Sequence, residues 1–378
     1  MTLFQKIFIG LYLSALLIFI AHLFVTKTAI YGDGRFYYSY LPSYLINYSL
    51  DLSDSFFHLG ISSFPSLLGP ANIYPIGPAI IWAIPFILAS LFLIPFQNAS
   101  GYGIIYEIFI GISNISLVFV GIYLLRKTLL KFFDQSTSNL AAIAIFTTTN
   151  LLFYGAVDVI NSHSASFFLS SVFLYLFTSK RNLINSVCLG ITVGMLALVR
   201  SQDYIFLIFP LVEFLRKKNM LLSVITVIIS LIVFLPQIFL WQVYFGGFIA
   251  NPYLKVRSFD FLSPHFIGVF FNKNSGIIWT PIIFFCLYGL FKYLKRNFNI
   301  AFYSILIVAF EIYIIASWEV WWEGESYSAR MLVSSLPFLG IGLASFLEMK
   351  NINKYKTKLV YFFSTLNILL ILIFLITH

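Results

Sequence analysis

The sequence predicts an all-α protein that crosses a membrane about eleven times. Of its 378 residues, 60% are hydrophobic and only 10% are charged, whereas a soluble domain carries about 25% charged residues because its surface must face water. Apolar runs of about 20 residues, the length that crosses a bilayer as a helix, recur along the chain. Together these observations exclude a free-standing soluble domain and predict a polytopic membrane protein.

The cysteines and the positive charge have explanations that fit this class. Cys188 and Cys286 lie inside apolar runs, which favours core packing over a disulfide framework or a metal cluster. The net charge of +9 arises from short Lys and Arg clusters between apolar runs. We therefore expect these clusters to set membrane topology, and we predict no nucleic-acid partner.

Charge patterning tests the order of the spans. Twelve segments are apolar enough to be candidates: 7–26, 77–96, 103–125, 139–156, 163–179, 184–199, 203–215, 220–243, 276–293, 299–317, 330–348 and 358–377. The first is interpreted as a retained signal anchor with a cytoplasmic N-terminus. From residue 126 onward, basic clusters alternate with loops poor in Lys and Arg, as alternating crossings require. The cluster at 126–131 is cytoplasmic only if segment 77–96 does not cross.

Segment 77–96 has features of a helix that lies along the membrane surface. It contains Pro78, Pro85 and Pro95, and proline removes a backbone donor and kinks a helix. We therefore expect an outer interfacial helix here, which leaves about eleven spans and an external C-terminus.

The first external loop then covers about residues 26–101, with two interfacial helices, Arg35–Tyr48 and Gly77–Phe96. Segment 203–215 is short and is expected to be tilted or broken. The sequence shows no internal repeat and no soluble linker, so residues 1–378 are expected to form one domain.

The first candidate site lies directly after the first span, in the stretch Tyr31-Gly-Asp-Gly-Arg-Phe-Tyr-Tyr. Asp33 is flanked by glycines, which let a ligand approach the backbone closely, and aromatic residues follow at helical spacing. A carboxylate beside aromatic rings suits a sugar acceptor, because it can take a hydroxyl proton while the rings stack on the sugar. The alternative is an Asp that only caps an interfacial helix.

Further polar residues stand at the outer ends of later spans. His163 could carry a proton or donate a hydrogen bond, although its Asn-Ser-His-Ser run could equally cap a helix. Arg200 and Arg330 are not explained by the cytoplasmic bias of basic residues. As two cations at one membrane depth they could clamp a lipid phosphate, although an Arg at a span end can also be a snorkelling anchor. The tryptophans before Arg330 also fit an interfacial belt.

These stretches together resemble GT-C-type membrane glycosyltransferases, the group that includes protein O-mannosyltransferases and lipid A aminoarabinose transferases. Four motifs match in order: Asp-Gly-x-x-Tyr-Tyr from Asp33, Ser-His-x-x-Ser-Phe-Phe from Ser162, Val-Arg-x-Gln-Asp from Val199, and Trp-Trp-x-Gly-x-Ser-Tyr-x-Ala-Arg from Trp321. The resemblance covers most of the chain. It implies transfer of a sugar, with inversion, from a polyprenyl-phosphate carrier on the outer side of the membrane.

The resemblance makes the first-loop acid, Asp33, the expected catalytic residue, and we expect it to be the general base. The candidates for substrate binding are Arg35, Tyr37, Tyr38, Asp158, His163, Arg200, Asp203, Glu323, Glu325, Tyr327 and Arg330. Many members of the group also carry an acid in the second external loop; here Asp158 is nearby, and His163 occupies the best-matched position. On this basis Asp33→Asn should cut turnover and leave donor binding near normal.

The expected partners are a polyprenyl-phosphate sugar donor, membrane lipids, and an acceptor that is a lipid, a glycan or a protein. The expected location is a bacterial inner membrane. The outer acids could hold Mg²⁺ or Mn²⁺, but no ligand spacing requires a metal. The main rival function is a multi-pass transporter or flippase for a lipid-linked or polar substrate, which would often show repeated halves. A polysaccharide polymerase or ligase would be expected to carry its main outer loop late in the chain.

Overall fold

The computed structural model describes residues 1–62, 64–216, 219–249, 252, 258–273, 275–324 and 326–377. Its α-helices are α1 (Leu3–Thr26), α2 (Asp33–Leu41), α3 (Ser53–Leu59), α4 (Gly77–Leu93), α5 (Ile104–Leu129), α6 (Gln135–Thr148), α7 (Leu151–Ala156), α8 (Ser162–Phe177), α9 (Leu183–Val199), α10 (Ile208–Leu215), α11 (Met220–Phe245), α12 (Phe266–Phe271), α13 (Ile282–Tyr293), α14 (Phe298–Ser317), α15 (Leu336–Glu348), α16 (Lys350–Asn353) and α17 (Lys356–Thr377). Short 3₁₀ segments are Ile94–Phe96, Ser201–Leu207, Ile277–Trp279 and Arg330–Ser335. Strands β1 (Phe64–Ser66) and β2 (Gly69–Ala71) pair antiparallel in the first loop.

The predicted all-α class is confirmed. Seven described helices are long and apolar enough to cross a membrane by length and composition: Leu3–Thr26, Gly77–Phe96, Ile104–Leu129, Met220–Phe245, Phe298–Ser317, Arg330–Glu348 and Lys356–Thr377. Helices α8, α9 and α13 are apolar but shorter. The chain is therefore an integral multi-pass membrane protein, while the count of eleven crossings stays a prediction.

Helices α1 and α5 pack antiparallel along their whole length. Arg126 lies over the Phe4 ring at one end, 4.4 Å from its centroid. At the other end, the Thr28 hydroxyl donates to the Glu107 carboxylate at 3.2 Å. Because α1 ends on the same side of the membrane as α5 begins, the chain between them must cross the membrane an even number of times or not at all. Among the described helices of that loop, α4 alone has spanning length, and this parity supports an interfacial position for it.

The predicted helix Arg35–Tyr48 differs in its boundaries. The helix begins at Asp33 and continues past Pro42 as a π-helical turn, Pro42–Ile46. The chain therefore stays helical through Pro42 but changes from α-helical to π-helical winding. A π-helical turn of this kind is often found near functional sites.

Close backbone packing joins the helices of the second half. Gly289 of α13 faces Gly342 of α15 so closely that a Cβ on either residue would overlap the other helix's backbone. Small residues of this kind let membrane helices approach and gain van der Waals contact, since lipid supplies no hydrophobic driving force between them.

Polar contacts join helices α4 and α5 to the loop that precedes α8. The Asn114 amide of α5 donates to the Val159 carbonyl at 2.7 Å, and its oxygen accepts from the Trp82 indole of α4 at 2.8 Å. Gly34 in the first turn of α2 packs against the Ile160 backbone, where a Cβ would overlap the carbonyl. These contacts bring the start of α2 to the loop that precedes α8, and they position the site described next.

Candidate functional site

A cavity of about 460 Å³ opens where α2, the loop before α4, α8, and the segments around Arg200 and Arg330 meet. The residues that line it are Asp33, Phe36, Tyr37, Ile73, Tyr74, Pro75, Ser162, His163, Arg200, Ser201, Gln202, Phe259, Ile314, Trp318, Val320, Glu323, Gly324, Arg330 and Met331. The cavity therefore brings together five of the predicted site residues that carry a charged group or an imidazole ring: Asp33, His163, Arg200, Glu323 and Arg330.

Asp33 stands in the first turn of α2, after Gly32, whose positive φ of 53° suits a glycine. Its Oδ2 lies 3.0 Å from Nη2 of Arg330, and its Oδ1 accepts a hydrogen bond of 2.8 Å from the Tyr74 hydroxyl. The Asp33 and Arg330 side chains are 29% and 20% exposed, so the pair is held in place and is still open to the cavity.

Tyr74 is fixed by its own contacts. Its ring stacks on Phe36 with centroids 4.6 Å apart. Its backbone N–H donates to the Asn72 side chain at 2.9 Å, and its carbonyl accepts from the Tyr40 hydroxyl at 2.8 Å. Burial, with the nearby charge of Asp33, raises the pKa of Tyr74. The phenol is therefore a rigid hydrogen-bond donor to the carboxylate.

Arg200 follows the last residue of α9 and is 7% exposed. Its Nη1 lies 3.1 Å from His163 Nδ1 and 3.5 Å from the Arg330 carbonyl, while Nη2 donates to the Gln202 side chain at 3.4 Å. Because a guanidinium only donates, Nδ1 of His163 is the acceptor in this contact, and the neutral ring then carries its proton on Nε2. His163 is therefore a partner of Arg200 in this arrangement.

Glu323 occupies a left-handed backbone conformation, with φ of 56°, which is uncommon for a residue other than glycine. Its side chain is nearly fully buried, and its Oε2 accepts from the Met331 N–H at 3.0 Å. Burial raises the pKa of Glu323 to about 7, an effect that Arg330 opposes. A strained backbone and a carboxyl that titrates near neutrality are both features that cluster at functional sites.

Two further predicted residues, Tyr37 and Asp158, lie at or near the cavity wall. Tyr37 lines it, and burial raises the pKa of its phenol to about 12. Asp158 is not among the lining residues of the described structure. Burial raises the pKa of Asp158 to about 6. The hydrogen bond from Asn161 and the charge of Arg330 lower this pKa, and the charge of Asp33 raises it further.

Four predicted residues point away from the cavity. Arg35 reaches toward the Leu59 and Gly60 carbonyls at 3.4 Å. The Tyr38 hydroxyl donates to the Gly101 carbonyl at 2.7 Å. The buried residues Asp203 and Tyr327 have polar partners elsewhere: Ser166 donates to Asp203 at 2.6 Å, and Tyr327 donates to Asn367 at 2.9 Å. Glu325, the remaining prediction, lies outside the described residues.

Comparisons with known proteins give one structural relative. No family model matches the sequence, and no curated protein matches it. The crystal structure of ArnT from Cupriavidus metallidurans in the apo state matches with a TM-score of 0.53 and 12% identity, over 90% of this chain and 61% of that one. The fold of this chain is therefore similar to that of ArnT, a likeness that agrees with the predicted all-α membrane architecture. This chain thus spans about three fifths of the relative's length, and a likeness at 12% identity shows the fold alone.

Two residues that the sequence did not single out, Tyr74 and Gln202, also line the cavity. Tyr74 lies in an Asn-Ile-Tyr-Pro stretch, and its hydroxyl donates a hydrogen bond to the Asp33 carboxylate. Gln202 bridges Arg200 and the Met331 carbonyl. The signal that could have found Tyr74 was the polar tip of an aromatic residue just before the second predicted interfacial helix.

The donor set of the site does not fit a divalent cation. The Asp33 carboxylate is already bound by a guanidinium and a phenol, and both of these are donors that occupy its oxygens. Among the described residues, no group of three or more His, Cys, Asp or Glu side chains could hold a metal ion.

Proposed function

We propose that this protein transfers a sugar from a polyprenyl-phosphate-linked donor to a hydroxyl of a lipid, glycan or protein acceptor on the outer side of the membrane. The observation that carries the proposal is a carboxylate, Asp33, held beside two arginines in one cavity. A base and a cationic phosphate site are the two groups that such a transfer requires.

Asp33 is the proposed general base. The acceptor oxygen attacks the anomeric carbon from the face opposite the phosphate, and its proton passes to the Asp33 carboxylate. The bond between the anomeric carbon and the phosphate oxygen breaks, and its electron pair stays on that oxygen. The products are the glycosylated acceptor, with inverted configuration, and polyprenyl phosphate.

Arg330 and Arg200 are the proposed phosphate ligands. Both line the cavity, and Arg200 Nη1 reaches the Arg330 carbonyl, so the two guanidinium groups stand on neighbouring segments. Negative charge grows on the phosphate as the sugar leaves, so arginines fixed in advance should stabilise the transition state more than the bound donor. Arginine also offers paired N–H donors that match phosphate oxygens.

Apolar residues in the cavity lining support an amphiphilic substrate. Phe259, Ile314, Trp318 and Val320 line it with apolar surface. A wall of this kind beside the arginines suits a phosphate that is attached to a lipid chain. The bacterial inner membrane and a cytoplasmic N-terminus are proposed as the setting, since the site would then lie on the outer face.

Purified protein in liposomes tests the proposal with a panel of polyprenyl-phosphate sugars and mixed acceptors. Sugar transfer, or slow donor hydrolysis, is the expected result. If the panel gives no turnover while lipid-linked or polar substrates cross the vesicle membrane, the protein is a transporter or flippase instead.

A further inference from the structure

We infer that the donor phosphate itself frees the catalytic base: it displaces Asp33 from Arg330, while Tyr74 keeps the freed carboxylate aimed at the acceptor. The inference rests on the proposed function and assigns each oxygen of Asp33 a separate task. It also gives Tyr74 a role as a positioning residue.

Both oxygens of Asp33 are engaged in the structure. Oδ2 forms the 3.0 Å ion pair with Arg330, and Oδ1 accepts the 2.8 Å bond from Tyr74. A general base must come within about 3 Å of the hydroxyl that it deprotonates. Because Oδ2 is bound to the Arg330 guanidinium, the acceptor hydroxyl can approach Oδ2 only after Arg330 has moved to bind another anion.

The donor supplies that anion. A guanidinium presents five N–H donors in a fixed fork and binds phosphate oxygens in pairs. Arg200 can also bind the phosphate with the N–H groups that His163, Gln202 and the Arg330 carbonyl leave free, but it is Arg330 that forms the ion pair with Asp33. Arg330 is therefore the cation for which Asp33 and the donor phosphate compete.

Tyr74 explains why the freed carboxylate would not swing away. The ring is stacked on Phe36, and the backbone of Tyr74 is bonded to Asn72 and Tyr40, so its hydroxyl is a fixed point. Oδ1 stays bound to that hydroxyl, and Oδ2 turns toward the acceptor and takes its proton. Without bound donor, the base remains in the ion pair, which would limit reaction of the site with stray hydroxyls and water.

The first test measures binding of polyprenyl phosphate, at one fixed pH near neutrality, to protein in nanodiscs. Asp33→Asn removes the competing charge and keeps the shape, so it should bind the lipid phosphate on the order of tenfold more tightly than the unaltered protein. This differs from the expectation, based on sequence alone, that donor binding would stay near normal.

The matched control is Asp51→Asn. Asp51 is an exposed acid of the same loop. Its Oδ1 accepts hydrogen bonds from the Ser53 N–H and hydroxyl, and the side-chain oxygen of an Asn can accept the same bonds. This control should bind polyprenyl phosphate as the unaltered protein does. Unchanged or weaker binding by Asp33→Asn would overturn the displacement.

The second test addresses Tyr74. Tyr74→Phe should leave the affinity for polyprenyl phosphate within about twofold and lower kcat by about 10- to 100-fold, because only the orientation of the base is lost. A merely structural role would change affinity and thermal stability together. An unchanged kcat would overturn the positioning role.

The binding and turnover tests separate the two levels of the argument. Tighter binding by Asp33→Asn in a protein that turns over no donor would overturn the proposed function and leave the competition for Arg330 standing. Turnover by the unaltered protein, with no gain in binding by Asp33→Asn, would overturn the inference and leave the function standing. No binding of polyprenyl phosphate by any form would overturn both.

Discussion

Glu323 should make donor affinity depend on pH near neutrality. Its carboxyl is nearly fully buried beside the Arg330 segment, and burial raises its pKa to about 7. About one pH unit above that value it is mostly ionised and competes with the donor phosphate for the arginines; about one unit below, it is mostly neutral. Lower pH should therefore tighten donor binding. The donor is a phosphodiester, so its own charge is constant over this range.

The size of the effect follows from Coulomb's law. Two unit charges roughly 6 Å apart at an effective dielectric of about 20 interact by about 2.8 kcal/mol. Water in the open cavity screens part of this, which leaves about 1–2 kcal/mol, or a change of about 5- to 30-fold in affinity between the fully neutral and the fully ionised carboxyl. With a pKa of about 7, about three- to sixfold of this change is expected between about pH 6.5 and about pH 8.

The assay is donor affinity in nanodiscs at about pH 6.5 and about pH 8, with the unaltered protein and Glu323→Gln. The Gln variant should bind tightly at both values, because its side chain cannot ionise. Asp158→Asn is the control: the pKa of Asp158 is raised only to about 6, so this variant should keep the dependence above about pH 7. A flat profile for the unaltered protein, or a Gln variant that keeps the full dependence, would refute the reasoning.

Three further predictions concern binding, packing and topology. Arg200→Ala should weaken binding of the donor and slow turnover together, by about 10- to 100-fold in kcat/KM, because it removes a charged phosphate ligand; steady-state kinetics check this, and an unchanged KM and kcat would contradict it. Gly289→Val should lower the melting temperature in detergent by several degrees, because the valine side chain would overlap the Gly342 backbone. Thermal unfolding measures this, with Gly10→Val as the control, since a Cβ at Gly10 meets no atom within 4 Å; equal melting temperatures for the two variants would contradict the packing argument. A reporter fused after residue 130 should be found on the cytoplasmic side, and an external reporter would contradict the cytoplasmic N-terminus, because the antiparallel packing of α1 and α5 puts residue 130 on the same side as the N-terminus.

The sequence was sufficient for much of the fold because membrane spans depend on composition over long windows. Hydropathy located the long apolar helices, but their boundaries differed, and the short helices α3 and α12 and the β1–β2 pair were not predicted. The predicted span 139–156, for example, is divided into α6 and α7. The predicted short span 203–215 begins as the 3₁₀ segment Ser201–Leu207 before it becomes α10. These breaks in the helices depend on side-chain packing between helices, and the average hydropathy of a stretch of sequence carries no information about such packing.

The site was harder to predict, because proximity in sequence is not proximity in space. Asp33 and Arg330 are almost 300 residues apart, and only the fold places them in one ion pair. Arg35 and Tyr38 share the Asp33 motif but project from other faces of α2, as the angle of about 100° per residue requires. The Asp-Gly-x-x-Tyr-Tyr motif therefore identified the turn of the helix that lies at the cavity, but it did not predict which of the side chains in that turn face the cavity.

The most direct measurement of the central claim compares turnover by Asp33→Asn and Asp51→Asn with a polyprenyl-phosphate sugar as donor. Asp33→Asn keeps the side-chain shape and removes the base, so its turnover should fall by about 10²- to 10⁴-fold. Asp51→Asn should retain turnover near that of the unaltered protein. If both folded variants kept equal, near-unaltered turnover, Asp33 would not be the base, and the account of this cavity as a sugar-transfer site would be contradicted at its central residue.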